Sequence, residues 1–264
     1  MEFIGFLASV LIGVSLGLIG SGGSILTVPV LVYLFGVDTV AATGYSLFIV
    51  GLTALVGAID FYRKNLVNVR TAIVFGIPSI LAVFVTRAYI VPAIPKQVMQ
   101  IGDLVITKSL LLLLLFAILM VFSAVKMIIP SKKSEEVRTK EQHFNYPLIF
   151  IEGLVVGLVT GLVGAGGGFL IIPALVLLSG LPMKQAVGTS LTIIAAKSLL
   201  GFLGEKPESA IDWMLITNVS LFAIIGIYIG GALSKRIEGR KLKPAFGWFV
   251  LIMGIYIIIK ELMF

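Results

Sequence analysis

Charge is scarce in this chain and cysteine is absent. Only 12% of the 264 residues are Asp, Glu, Lys or Arg, whereas an ordinary soluble domain carries roughly 25%. So few charges cannot clothe a water-facing surface, and a soluble globular fold is excluded. Without cysteine there is no disulfide, no thiolate nucleophile and no cysteine-ligated metal. Histidine occurs once, at His143 in a charged stretch, so a serine such as Ser21 has no nearby imidazole to activate it as a nucleophile. Metalloprotease and P-loop motifs are missing as well. No Asp or Glu falls in the middle of an apolar run. Glu152 comes nearest, close to the start of its run, so a midplane carboxylate proton relay is not expected. Enzymatic activity is not expected either, and nothing calls for a cofactor or a metal.

What the chain does have is apolar residues, 59% of the total. They fall in runs near 3–19, 24–35, 41–59, 70–90, 107–129, 145–163, 168–179, 186–203, 213–233 and 244–263. Crossing a bilayer takes about 20 residues of helix, and eight of these runs approach that length. The composition predicts an all-α integral membrane protein. The first run lacks a basic start and an A-x-A-like exit, so it reads as a mature span rather than a signal peptide. A net charge of +7 would suggest nucleic acid in a soluble protein. Here the basic residues gather in loops beside apolar runs, as the cytoplasmic bias of Lys and Arg requires, and nucleic acid is not an expected partner.

The chain repeats itself. Residues 17–29 read G-L-I-G-S-G-G-S-I-L-T-V-P and residues 161–173 read G-L-V-G-A-G-G-G-F-L-I-I-P. At the same offset of 144, Gly36 meets Gly180, Ala42 meets Ala186, Gly44 meets Gly188 and Ser46 meets Ser190. Apolar composition does not align this many glycines and a proline by chance. Two repeats are expected, 1–129 and 145–264, joined by a charged linker over 130–144 that holds Lys132, Lys133, Glu135, Glu136, Arg138, Lys140 and Glu141.

Equivalent loops carry opposite charge. Asp60, Arg63, Lys64 and Arg70 sit in the first, against Glu205, Lys206, Glu208 and Asp212 in the second. The short loops with Asp38 and Lys184 agree with this, and the basic loop 235–243 reads as cytoplasmic. Oppositely charged equivalents predict inverted repeats, with both termini outside and the linker in the cytoplasm. Arg87 and Lys108 run against this assignment unless they snorkel from helix ends. Inversion needs an odd number of crossings per repeat. The runs 24–35 and 168–179 span only about 18 Å as helix, so each is either half of a re-entrant hairpin or a tilted partial crossing.

The glycine clusters Gly20, Ser21, Gly22, Gly23, Ser24 and Gly164, Gly166, Gly167, Gly168 interrupt apolar helices. Each such glycine costs about 1 kcal/mol relative to alanine in a helix interior. Broken backbone in a bilayer is tolerated only where it is buried in protein or lines a cavity. A short helix follows each break, so amide-rich, dipole-positive ends would face the glycines, a setting suited to an anion. Close helix packing is the plainer explanation, although packing usually spaces small residues four apart. Hydroxyls at Thr43, Tyr45, Ser46, Thr189 and Ser190 flank the breaks. Lys197 stands mid-run, where a charge costs at least about 2.5 kcal/mol; its repeat equivalent is Thr53. It is the expected countercharge for an anion.

The pattern G-x-x-G-x-G-G-[SG]-x-[LI]-x-x-P, found twice, together with Gly188-Thr189-Ser190 and the run from Lys197 to Phe202, resembles the sulfite exporter TauE/SafE family of TSUP-type anion permeases. The likeness covers essentially the whole chain. It implies eight membrane helices and transport of small sulfur anions such as sulfite, thiosulfate, sulfoacetate or other sulfonates. The expected site comprises Gly20, Ser21, Gly22, Gly23, Ser24, Ser46, Gly164, Gly166, Gly167, Gly168, Thr189, Ser190 and Lys197, worked by alternating access. The expected partners are a small anionic substrate and the lipid bilayer, and a homo-oligomer fits as well. A passive anion channel and a non-transporting membrane scaffold are the competing readings.

Overall fold

The computed structural model describes residues 2–20, 23–101, 104–129, 146–164, 166–177, 181–205, 210–233 and 239–263. Ser21, Gly22 and the linker 130–144 lie outside these residues. Helices account for most of the rest: α1 (Glu2–Ile19), α2 (Gly23–Tyr33), α3 (Thr39–Arg63), α4 (Val69–Val85), α5 (Val91–Ala93), α6 (Lys108–Ile128), α7 (Tyr146–Val163), α8 (Gly168–Leu177), α9 (Met183–Leu203), α10 (Trp213–Leu233) and α11 (Gly239–Met263). A π-helical turn, Thr86–Ile90, joins α4 to α5. Pro92 follows it and has no amide proton for the carbonyl of Ala88, which disfavours a continuous α-helical ladder there.

Among the described residues, five helices are long and apolar enough to cross a membrane: Thr39–Arg63, Val69–Ala93, Lys108–Val125, Met183–Leu203 and Trp213–Leu233. Shorter apolar helical stretches occupy Ile4–Ile19, Gly23–Tyr33 and Pro147–Val163. Large side chains such as Leu7, Ile77, Leu81, Leu221 and Ile225 point outward and are exposed, as lipid contact requires and water does not.

One element corrects the expectation of a purely helical chain. Strands β1 (Gln97–Ile101) and β2 (Leu104–Thr107) form an antiparallel hairpin with a register shift between Gln97 and Met99. Val105, Ile106 and Thr107 are β-branched and favour the pleated conformation.

The ends of the helices explain their boundaries. Asp38 caps α3 by accepting from the amides of Val40 at 2.8 Å and Ala41 at 3.3 Å. Asn68 caps α4 through the amide of Thr71, and Asp212, 144 residues later, does the same for α10 through Leu215. The exits of the short helices match too. The Val37 amide donates to Leu31 O, and the Leu181 amide to Leu175 O, at 3.0 and 3.1 Å.

Packing follows the same correspondence. Helix α1 lies on α10, and α7 on α4; α3 pairs with its equivalent α9, and α6 with α11. Two glycine seams bring backbones together. Gly13 lies against the carbonyl oxygen of Ala223, and Gly157 against that of Ser79, each contact being the other moved by 144 positions. In both seams the helices run parallel. By contrast α3 and α9 run antiparallel: Gly44 faces Glu205, Gly51 faces Leu199, Gly57 meets Leu191, and Phe61 meets Gly188.

Candidate functional site

Both glycine breaks lie against the α3–α9 pair. Gly20 and Gly164 have φ of +74° and +72°, and Gly167 has +70°, a left-handed backbone that glycine adopts without strain. Each break is gripped by the other half of the chain. Ser190 donates to the carbonyl of Gly20 at 3.3 Å, and Ser46 donates to the carbonyl of Gly164. Gly20 packs on Val187, and Gly164 on Thr43. Residues 43 and 187 are equivalent, as are 46 and 190. The serines expected near the breaks are therefore there, with their protons directed at backbone carbonyls.

Gly166 marks where the two halves meet. A β-carbon on it would come within 2.6 Å of Val50, 3.0 Å of Ile194 and 3.3 Å of Ser24. Val50 and Ile194 are equivalent positions of α3 and α9. Ser24 lies in the first turn of α2, so the start of α2 and the break before α8 face each other over the middle of this pair. Amides in the first turn of a helix have no acceptor within that helix. Gly23 presses against Ile12 and Leu16 of α1, and Gly168 begins α8.

Lys197 is 1% exposed. Its ammonium lies at the second break, 2.7 Å from where a Gly167 β-carbon would sit, and donates to Thr160 Oγ1 at 3.0 Å. Thr160 in turn donates to Val156 O at 2.7 Å. Among the described residues no carboxylate lies within ion-pair distance of Lys197. Its equivalent, Thr53, merely bonds back to Ile49 O. The charge is therefore on one side of the pair only.

Other expected residues are engaged elsewhere. Thr189 accepts from the Asn68 amide at 2.9 Å, at the start of α4. Tyr45 accepts from the Asp212 amide at 2.9 Å. Thr43 donates to Val40 O and accepts from Arg87 at 3.0 Å.

Two basic residues require correction. Arg87 does not snorkel; it is fully buried and pairs with Glu205 at 3.0 Å. Lys108 is also buried, at 6% exposure. Both are buried against protein. Thr160 was not singled out in the sequence and Glu205 figured there only as a loop charge, because their partners are 37 and 118 residues away.

A family model, that of the sulfite exporter TauE/SafE, matches residues 5–257. The chain belongs to the sulfite exporter TauE/SafE family. Relatives share the name of transporter. A probable membrane transporter protein of Xylella fastidiosa (strain 9a5c) is 30% identical over 255 residues, covering 94% of this chain and 91% of the relative. The probable membrane transporter proteins YdhB and YunE of Bacillus subtilis are 25% and 26% identical, covering 89% and 98% of this chain and 91% and 98% of their own lengths. No solved structure matches. As a TauE/SafE member with these apolar helices, the protein is a multi-pass membrane transporter.

Proposed function

We propose that this transporter carries a small sulfur oxyanion or organosulfonate of the sulfite, thiosulfate and sulfoacetate class, by alternating access at a midplane site between two inverted repeats. The observation that carries the reading is the Lys197 ammonium, buried beside the second glycine break without a carboxylate within ion-pair distance among the described residues. A buried cation beside helix-start amides is a setting that an anion completes. The backbone amides at Gly22, Gly23, Gly166 and Gly167 bind the oxygens, helped by hydroxyls, and Lys197 supplies the countercharge. Ser24, Ser46 and Ser190 shape the pocket from both halves.

Repeats 1–129 and 145–264, joined by the cytoplasmic linker 130–144, place both termini outside. The antiparallel α3 and α9 support inversion, since equivalent helices related by an in-plane two-fold axis must run oppositely. Rocking about this pair exposes the site to one face and then the other.

The test is uptake of labelled sulfite and thiosulfate into proteoliposomes by wild type and Lys197→Met. The variant removes the charge while keeping an unbranched side chain, so it leaves no buried ion unpaired. Uptake should fall at least about tenfold, a difference of roughly 1.4 kcal/mol. Undiminished uptake by a folded variant would remove Lys197 from the site. Flux far faster than rocking permits would rule out alternating access, and no flux of either anion would remove this substrate class.

A further inference from the structure

We propose that Arg87 is a second anion-binding residue on the transport route, held by Glu205 through one nitrogen and drawn off that carboxylate when an oxyanion fills its other edge. The proposal rests on the reading of the chain as an anion transporter and concerns a position remote from Lys197 in sequence and on a different helix.

Arg87 sits in the π-helical turn after α4, a distortion common at functional positions. Its side chain is fully buried. Among the described residues only one nitrogen is used: Nη1 donates to Glu205 Oε2 and to Thr43 Oγ1, both at 3.0 Å. Nε and Nη2 are buried with no acceptor among those residues. An arginine built solely to bind a carboxylate normally offers two parallel N–H groups to its two oxygens. Here the edge formed by Nε and Nη2, the one suited to two oxygens of a single anion, is unfilled. Leaving those donors unpaired costs free energy that an incoming oxyanion would recover.

The position is next to the site. Thr43, which accepts from Arg87, packs directly on Gly164 of the second break. Gly44 leaves room for the Glu205 carboxylate, whose carbon lies 2.9 Å from where a β-carbon would stand.

Comparison of the two halves gives the pairing its meaning. The positions equivalent to Arg87 and Glu205 are Gly231 and Phe61. Both line a cleft of about 180 Å³ that also touches Gly17, Gly57, Asp60 and Lys64. At one end of the pseudo-symmetric pair the chain is open. At the other, a large side chain and its counterion fill the equivalent place. An anion on the Nε and Nη2 edge competes with Glu205 for the same guanidinium charge and so loosens the contact that closes this end. The ligand class is an oxyanion with two adjacent oxygens, such as sulfite or thiosulfate.

Thermal unfolding of the purified full-length protein, followed against rising sulfite and thiosulfate, yields apparent affinities for wild type, Arg87→Lys and Glu205→Gln. Arg87→Lys keeps the charge and loses the two-pronged edge, so both anions should bind about tenfold more weakly. Glu205→Gln removes the competing charge, so both should bind at least about threefold more tightly. A purely structural ion pair would not produce that tightening. An unchanged or weaker affinity in Glu205→Gln overturns the proposal, as does an unchanged affinity in Arg87→Lys. Should Arg87→Lys fail to fold, the Glu205→Gln result decides alone. If both variants match wild type while Lys197→Met loses the anions, the central site stands without Arg87. If neither anion stabilises the wild type, the sulfur-oxyanion reading falls and this proposal with it.

Discussion

Lys197 and Gly167 show how much one position can depend on another. The lysine ammonium occupies the space that a side chain at 167 would need, and the left-handed backbone there already selects glycine. Gly36 has a similar φ of +68° but, among the described residues, nothing within 4 Å of a would-be β-carbon. The pair separates backbone strain from crowding. Gly36→Ala should lose about 1–2 kcal/mol, the conformational cost alone. Gly167→Ala should lose clearly more and also weaken anion binding, because it pushes on both Thr160 and Lys197. Thermal unfolding in detergent with and without thiosulfate checks both parts; equal losses in the two variants would contradict the crowding. Lys197 was legible in the sequence because a charge in the middle of an apolar run has few bland explanations. Arg87 was not, because a charge near the end of a run is ordinarily solvated. Only its distance from Glu205 in space, not in sequence, identifies it as buried and paired.

At the scale of the element, the short helices α2 and α8 were readable, because clustered glycines interrupt an apolar run through local backbone preference, whereas the caps at Asp38, Asn68 and Asp212 emerged only from the structure. The hairpin strands Gln97–Ile101 and Leu104–Thr107 were not anticipated, since they fall in the stretch between the apolar runs 70–90 and 107–129. The glycine seams were visible as glycines, without their partners. Gly13 on α1 and Gly157 on α7 each allow a neighbouring carbonyl to approach to contact, at Ala223 and Ser79 respectively. Gly13→Leu and Gly157→Leu should therefore each separate a pair of helices and destabilise the protein by about 1–3 kcal/mol or more. The two losses should be similar, because the two contacts are equivalent. A large loss at one site with none at the other, measured by thermal unfolding, would argue against equivalent packing in the two halves.

For the whole molecule, the absence of cysteine makes a direct topology measurement available. Single cysteines introduced as Lys64→Cys and Asp212→Cys stand in equivalent loops of opposite charge. In intact cells a membrane-impermeant maleimide should label Asp212→Cys and spare Lys64→Cys until the membrane is permeabilised. Labelling of both from outside would refute the inverted arrangement. The sequence by itself determined the membrane class, the repeat, the two breaks and the isolated Lys197. Those features depend on composition and on local backbone preference, which are written along the chain. The tertiary structure decided that Ser46 and Ser190 each secure the opposite break, that Thr160 receives Lys197, and that Arg87 closes on Glu205 where the equivalent positions leave a cleft. These are contacts between residues 37 to 170 positions apart, and only the packing of α3 against α9 and of α4 beside them brings such groups within reach of one another.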